Sequence, residues 1–311
     1  MSSVAPTTAT SSSAPDPDPT VDDRTTDRSS NRLRVLTPLL IALRYLAVIV
    51  LGIFLLFPIY YAVVGSVMGT ADINSYPPAL IPHGLHFENF SAALQLIPLF
   101  RQYGNSLVVA LLISVLQLVT AVLSAYAFVF LPMPLRRTLF TLFLLTIMVP
   151  FEATVIPNYL TVTDLGLTGN YGGSLAALAL PFLAAGFGTF LLRQTFRSFP
   201  TELLDAARID GCGHLRFIVR ILVPLTKPSL AALGVYVFLN SWNQYFWPLL
   251  VTGDSPTKQT IQIGISQLKS ADSNNPGLVL AGVVLALIPT VLLVLFGQRF
   301  IVRGLTAGAV K

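Results

Sequence analysis

The stretch LVVALLISVLQLVTAVL, residues 107–123, runs for seventeen residues without a charge, a glycine or a proline. Together with the apolar residues around it, it is long enough as a helix to cross a hydrocarbon core of about 30 Å. It lacks the alternation that a membrane β-strand needs, and lipid offers no hydrogen bonds to open backbone. The stretch therefore predicts a transmembrane helix.

Comparable apolar segments recur along the chain of 311 residues, of which 54% are hydrophobic and only 11% charged. This composition predicts an all-α polytopic membrane protein embedded in the lipid bilayer. The six predicted spans lie at about 41–65, 103–128, 138–158, 172–192, 228–250 and 278–298. Prolines inside these spans predict ordinary helix bending, and they are Pro58, Pro150, Pro157, Pro181 and Pro289.

The first 31 residues are rich in Ser, Thr, Pro and Asp and contain almost nothing apolar. Such a segment cannot offset the entropy of ordering, so we expect a disordered tail at 1–31 and a transmembrane domain at 32–311. The tail is not a signal peptide, because no short apolar region with a cleavage site follows a basic start.

The basic residues predict the orientation of the bundle. Sixteen of the nineteen Lys and Arg residues fall on one set of loops and termini and three on the other. Because Lys and Arg mark the cytoplasmic side, both termini are predicted to be cytoplasmic in a multi-pass membrane protein. The net charge of +5 is thus a matter of topology, and no basic face for nucleic acid is formed.

Metal and cofactor chemistry find little support in the sequence. One cysteine, Cys212, excludes an intrachain disulfide, and three scattered histidines make a metal site a poor hypothesis. Paired catalytic groups are also lacking, which argues against a membrane enzyme. We expect no catalytic residue, metal or cofactor on this chain.

The loop at 193–227 is far longer than a usual connection, which suggests a function. Within it, TELLDAARIDG (201–211) predicts a helix capped by Ser198 or Thr201 and ended by Gly211 in the left-handed region. Asp205 and Arg208 are spaced for an ion pair. The predicted apolar stripe of this helix consists of Leu203, Leu204 and Ala207, extended by Ile209.

A second amphipathic helix, HLRFIVRILVP (214–224), follows and is interrupted by Pro224. The two helices predict an elbow at the cytoplasmic membrane face. Physical chemistry alone leaves two interpretations open, an amphipathic hairpin lying on anionic lipid or a docking helix for a cytoplasmic partner.

The spacing within this elbow resembles the Glu-Ala-Ala loop of the permease subunits of bacterial ATP-binding-cassette importers. In that loop, three residues separate the Glu-Ala-Ala triplet from a glycine, and nine separate the glycine from Ile-x-Leu-Pro. Both intervals are intact here, although Asp205 replaces Glu and Val223 replaces Leu. The matching positions, with the charged residues between them, are Asp205, Ala206, Ala207, Arg208, Asp210, Gly211, Ile221 and Pro224.

The resemblance extends over roughly residues 36–311, through stretches such as NSWNQYFWPLL (240–250) and RFIVRGLTAGAVK (299–311). These are similar to the shorter permease subunit of carbohydrate-type importers, including those for maltose, and most of all to those for glycerol 3-phosphate and related molecules. The resemblance implies a six-helix type I importer permease of the bacterial inner membrane, with a cytoplasmic coupling helix. Its expected solute is sn-glycerol 3-phosphate, a glycerophosphodiester or a similar polyol.

The family also implies partners. These are a second homologous permease, two ATPase subunits that bind ATP and Mg, and an extracellular solute-binding protein. In agreement, the sequence contains no Gly-x-x-x-x-Gly-Lys-[Ser/Thr] loop with which to bind ATP itself. The elbow would sit in a cleft of the ATPase and act as a lever, with Gly211 as its joint.

Few polar groups lie inside the spans where a solute would pass. Asn240, Asn243, Gln244 and Trp247 share one face of a continuous helix, and Tyr245 lies beside them. Amides and aromatic rings suit a sugar or polyol, but the same residues also serve as interface anchors or helix-pairing groups.

Glu152 is the only carboxylate inside a predicted span, and its role is open between cavity lining and a bland interfacial position. It would disfavour an anionic ligand, which suits a neutral di- or oligosaccharide better than glycerol phosphate. An ion-coupled secondary transporter is the alternative from another class. Against it, the chain shows no repeated halves with paired broken helices.

Overall fold

A computed structural model of the protein describes residues 24–184, 186–271 and 274–306, with side chains over 41–184, 186–271 and 274–298. The chain divides into two compact units, residues 1–58 and 59–311. Its α-helices are α1 Arg24–Gly65, α2 Thr70–Ile73, α3 Glu88–Leu96, α4 Leu99–Phe130, α5 Arg136–Leu145, α6 Phe151–Asp164, α7 Tyr171–Ala179, α8 Gly186–Arg197, α9 Thr201–Ile209, α10 His214–Phe217, α11 Val223–Leu225, α12 Lys227–Trp242, α13 Phe246–Thr252, α14 Ile261–Ala271 and α15 Pro276–Thr306.

The described residues contain no strand, which confirms the all-α membrane fold. Three described helical segments are single and long enough to cross a membrane, namely Ile41–Gly65, Leu99–Phe130 and Pro276–Gln298. Three more candidates are bent pairs. They are Arg136–Met148 with Phe151–Asp164 at 91°, Tyr171–Phe182 with Gly186–Arg197 at 53°, and His214–Leu225 with Lys227–Trp242 at 85°.

The last residues of the predicted disordered tail are helical in the structure. Residues 1–23 lie outside the described residues, whereas residues 24–31 are the beginning of α1. No glycine or proline stands between Arg24 and Thr37 to stop a helix. Because extending an existing helix is easier than starting one, the apolar helix continues into this polar segment.

The bend before α6 is much larger than the ordinary bending expected of a span proline. Helix α5 ends in a 3-10 turn, Thr146–Met148, and Val149 is extended with ψ 113°. Pro150 accounts for this, because its ring disfavours a helical conformation in the residue before it and obstructs the carbonyl four residues earlier. The segment at 138–158 is therefore two helices at a right angle.

The second unit is held together by α4, which packs against α8 and α12, while α12 also packs against α15. One apolar cluster joins α4 and α8 to the loop segment around α9 and α10, with Leu192, Phe196 and Leu222 fully buried. A second cluster, around Trp242 and Ile261, joins α4, α12, α14 and α15. Helix α4, which contains the apolar stretch at 107–123, is thus the common packing surface of the unit.

Two histidine–carboxylate pairs lie in the segment between α1 and α4. The backbone N–H of His83 donates to Asp72 Oδ2 at 3.1 Å, and His83 Nδ1 lies 3.0 Å from Oδ1. These bonds hold the pKa of Asp72 below its usual value. A hydrogen bond with His86 Nδ1 at 2.5 Å likewise lowers the pKa of Glu88. The buried Asn89 ties the segment together, because its Nδ2 donates to the Ser66 and Met68 carbonyls at 3.1 Å.

At the start of α7, Gly173 packs closely against the preceding loop. A Cβ at Gly173 would lie 2.6 Å from the Leu167 carbonyl oxygen and 3.0 Å from Asn170 Oδ1, which caps the helix by accepting from Gly173 N–H. We expect Gly173→Ala to lower the stability of the purified importer by about 1–3 kcal/mol, measured by thermal unfolding in detergent. Gly172→Ala is the matched control, because its nearest neighbour is 3.9 Å away. Equal losses of stability in the two variants would contradict the close packing at Gly173.

Candidate functional site

The first site is the elbow formed by α9, α10, a π-helical stretch at Ile218–Leu222, and α11. Helix α9 covers Thr201–Ile209, and Gly211 follows it with φ +71°, which confirms the predicted left-handed end. Cys212 N–H donates to the Ala207 carbonyl at 2.8 Å and Gly211 N–H to the Arg208 carbonyl at 3.0 Å. This pair of bonds is a Schellman motif, which satisfies carbonyls that the helix end leaves open.

The predicted caps of α9 are wrong. Pro200 occupies the N-cap position, and no side chain caps the helix. Ser198 instead donates its hydroxyl to the Thr195 carbonyl at 2.8 Å, at the end of α8. Pro200 has a fixed φ of −61° with an extended ψ, so the chain enters the helix at Thr201 without a side-chain cap.

The inner face of α9 is narrower than the predicted stripe. Leu204 and Ala207 are buried, whereas Leu203 is 42% exposed and Ile209 87% exposed. At about 100° per residue, Ile209 points away from the other two, so the same helix cannot bury all four side chains. The face that lipid binding would need is occupied by protein, and the outer face presents Ile209 to the surroundings.

Charges cover the rest of α9. Asp205 and Arg208 form the predicted ion pair, with 3.5 Å between Oδ1 and Nη1, and both side chains are exposed. Ala206, Asp210 and Gly211 are exposed as well. The motif positions therefore divide between Ala207, which packs inward, and a polar outer surface.

The second helix is anchored by aromatic packing. Phe217 is buried and its ring centre lies 6.0 Å from that of Phe130 and 6.1 Å from that of Phe199. The hydroxyl oxygen of Tyr126 lies 2.6 Å from His214 Nδ1, within hydrogen-bonding distance. Tyr126 and Phe130 belong to the last turns of α4, so the elbow is fastened to the end of a long bundle helix.

Pro224 does not interrupt this helix as predicted. The π-helical stretch before it widens the turn, and helix α11 continues through Pro224 to Leu225. A wider turn accommodates a ring that would collide with the preceding carbonyl in a regular helix. Ile221 is half-buried against the core, and the chain bends by 85° only after Leu225, where α12 begins.

The second site is a cavity of about 360 Å³ within the bundle. Four predicted pathway residues line it, and these are Asn240, Gln244, Tyr245 and Trp247. Other lining residues come from α4, α6, α8 and α12, and they include Gln117, Phe151, Phe187, Tyr236 and Ser241. Among the described lining residues none is charged, so the cavity offers amides, hydroxyls and aromatic surfaces.

The two other predicted pathway residues lie elsewhere. Asn243 donates to the Leu239 carbonyl at 2.9 Å, and its Oδ1 is 3.3 Å from Gln262 Nε2 of α14, outside the cavity lining. Glu152 is exposed in the first turn of α6 and does not line the cavity. Neither residue shares a site with Gln244.

The predicted continuous helix over 240–247 is broken. Helix α12 ends at Trp242 and α13 begins at Phe246, with Gln244 in the break. Pro248 explains the break, since it lacks an N–H and its ring opposes the carbonyl four residues earlier, that of Gln244. The break separates Asn243 from the cavity, whereas Asn240 and Trp247 reach it from two different helices.

Gln117 is a cavity residue that the sequence reasoning missed. It is buried in the middle of α4, and its Nε2 donates to the Phe182 carbonyl at 3.2 Å. Thr120, one turn later, donates to the Leu183 carbonyl at 2.7 Å. Both carbonyls lie where α7 has ended and α8 has not begun, so α4 supplies donors to a helix break. The only signal in the sequence was a single amide within an apolar run.

The amide of Gln244 is the one polar group of the cavity that stands out. Its Oε1 is buried and has no hydrogen-bond partner among the described residues. Nearby, Asn240 Nδ2 donates to the Tyr236 carbonyl at 2.8 Å. Because buried acceptors are normally paired, Gln244 Oε1 is an unsatisfied acceptor in the wall of the cavity.

Comparison with known proteins places the chain among transport permeases. Residues 117–307 match the family described as binding-protein-dependent transport system inner membrane component, and the chain belongs to that family. It is the permease subunit of an ATP-binding-cassette importer and a multi-pass membrane protein.

Relatives over most of the chain agree. The sn-glycerol-3-phosphate transport system permease protein UgpE of Rhizobium meliloti (strain 1021) is 41% identical over 270 residues, covering 84% of this chain and 94% of the relative. The protein of the same name from Brucella abortus (strain 2308) is 40% identical over 268 residues, covering 83% and 93%.

Among solved structures, the fold is similar to that of a bacterial ABC transporter involved in the import of the acidic polysaccharide alginate. The TM-score is 0.69 at 24% identity, with 88% of this chain and 97% of the other covered. A second structure, of the bacterial alginate ABC transporter in complex with alginate pentasaccharide-bound periplasmic protein, gives 0.61 at 17% identity, covering 88% and 95%.

Proposed function

We propose that this chain forms one half of the translocation pathway for sn-glycerol 3-phosphate, a glycerophosphodiester or a similar polyol. The names of the relatives support this solute class. The cavity supports the polyol part of it, because Asn240, Gln244 and Tyr245 offer hydrogen bonds and Trp247 an apolar surface.

The phosphate group is expected to be held elsewhere. The described lining of the cavity has no cation, and burying an unpaired phosphate charge among amides and aromatic rings would be unfavourable. We assign the compensating cations to the second permease or to the solute-binding protein. The same uncharged lining favours an importer of a di- or oligosaccharide as the second candidate.

The elbow is the proposed contact with an ATPase subunit. The observation that carries this proposal is its two-sided surface, with Leu204, Ala207 and Phe217 packed into the bundle and Ile209 exposed at the tip. An apolar side chain 87% exposed beside an ion pair fits a protein partner. Force on α9 would pass through the aromatic packing to the end of α4.

The remaining parts of the proposal concern assembly. We assign ATP and Mg binding, and hydrolysis, to two partner ATPase subunits, with a second homologous permease and an extracellular solute-binding protein completing the importer. This chain then needs no cofactor and performs no catalysis. Both termini and the elbow face the cytoplasm, in keeping with the charge count.

Reconstitution tests this function. The chain should co-purify with an ATPase, and proteoliposomes of the complete importer should take up labelled glycerol 3-phosphate only with ATP inside and binding protein outside. Uptake by this chain alone, driven by an ion gradient, would instead establish a secondary transporter. Thermal-shift measurements on the binding protein with glycerol 3-phosphate, glycerophosphodiesters and sugars decide between the two solute classes.

A further inference from the structure

Four arginines gather at one end of the bundle, where the loop after α4 meets α5 and α8. They are Arg136, Arg137, Arg193 and Arg197. The charge count predicts that this end is cytoplasmic. Among the described residues, no carboxylate forms an ion pair with any of them.

Contacts place three of these arginines together. The guanidinium of Arg136 donates to the carbonyls of Val129 and Leu131, at the end of α4. The Phe130 ring between them packs against Phe196, 6.3 Å between centres, and Arg197 follows directly in the chain. Arg136 and Arg197 therefore lie at the same level of the bundle.

Arg193 lies about one turn further into the bundle. Its Cζ stands 3.8 Å above the centre of the Phe140 ring, and Phe140 is one turn after Arg136 on α5. Its Nε is buried without a hydrogen-bond partner among the described residues. An arginine that stacks on an aromatic ring beside an apolar helix can place its guanidinium at the level where the hydrocarbon core meets the lipid headgroups.

This arrangement gathers positive charge that no described carboxylate neutralises. Like charges lie close together, and Arg136 and Arg137 occupy the first turn of α5, where the helix dipole disfavours positive charge. Guanidinium groups match phosphate oxygens in charge and in hydrogen-bond geometry. The chemistry of the cluster is therefore that of a phosphate site.

The neighbouring surface indicates whether the phosphate belongs to a lipid headgroup or to a soluble anion. Leu139, Leu142 and Leu145 of α5 are 42–55% exposed and continue from the cluster toward the membrane interior. A soluble anion has no use for this apolar surface, whereas acyl chains would cover it. We propose that Arg136, Arg193 and Arg197 bind the phosphate headgroup of an anionic phospholipid of the inner leaflet.

The test uses the complete importer in nanodiscs of phosphatidylcholine with added phosphatidylglycerol. Native mass spectrometry measures the phosphatidylglycerol that stays bound after extraction. Retention should fall about fivefold for each arginine replaced, in Arg197→Gln and in the triple variant with Arg136→Gln and Arg193→Gln. The control is Arg101→Gln, which removes an exposed arginine on the opposite, predicted outer side of the membrane and should leave lipid retention unchanged.

Several outcomes would overturn the proposal. One is unchanged retention in Arg197→Gln, an exposed position whose replacement should not affect folding. Another is loss of the ATPase subunit from the triple variant with normal lipid retention, which would make the cluster a protein contact. Displacement of the lipid by inorganic phosphate would identify a site for a soluble anion.

Discussion

Replacing Gly211 with leucine is expected to reduce solute uptake and binding-protein-stimulated ATP hydrolysis about tenfold, while the importer remains assembled. The glycine has φ +71° and nothing within 4 Å of where a Cβ would stand. Glycine is therefore needed here for its backbone conformation, and not to leave room for a neighbouring group. A side chain in the left-handed region costs about 1–2 kcal/mol, which would shift the backbone at the Schellman motif and turn α9 relative to α10.

A matched control lies two residues away. Gly213 is also free of neighbours within 4 Å, but its backbone is extended, with φ −69° and ψ 161°, at the N-cap of α10. Serine suits such a position. Gly211→Ser should reduce coupled hydrolysis severalfold and Gly213→Ser should not. Equal activity of the two serine variants would show that coupling does not depend on the left-handed conformation at Gly211.

The elbow was largely predictable because its information is local. The glycine after a helical segment, the acid–base spacing of Asp205 and Arg208, and the intervals to Ile221 can all be read along the chain. The structure confirms the helix end and the ion pair. It differs for Ile209, since a nine-residue helix can turn only one face toward the bundle.

The angles of the bends at the helix breaks could not be predicted from the sequence. Pro150, Pro157, Pro248 and Pro289 are all visible in the sequence, yet α6 and α15 continue through Pro157 and Pro289. A proline removes one hydrogen bond everywhere, but the angle of the bend depends on which neighbours satisfy the freed groups. That is a property of the packed bundle.

Gln117 illustrates the same limit. It lies within the apolar stretch at 107–123, where one amide is compatible with helix pairing, cavity lining or both. Only the tertiary structure brings its Nε2 to the Phe182 carbonyl while its side chain also lines the cavity. The residue thus connects the proposed pathway with the break before α8, and α8 leads directly to the elbow.

Gln117→Leu is expected to lower solute uptake about tenfold, measured in proteoliposomes at matched protein content. Leucine has a similar size, so packing is kept, while the Phe182 carbonyl loses its side-chain donor and the cavity loses an amide. A hydrogen bond of this kind contributes about 0.5–1.5 kcal/mol, and an orphaned buried carbonyl costs about 1–3 kcal/mol. The loss should therefore appear in transport and, more weakly, in thermal stability.

Thr120→Val separates the two roles of Gln117. Thr120 supports the same break through the Leu183 carbonyl, but it is not among the residues that line the cavity. If contact with solute matters, Thr120→Val should match Gln117→Leu in its loss of stability and retain most of its uptake. If both variants lost uptake equally, the effect would come from the helix break alone, and Gln117 would be a structural support without a place in the pathway.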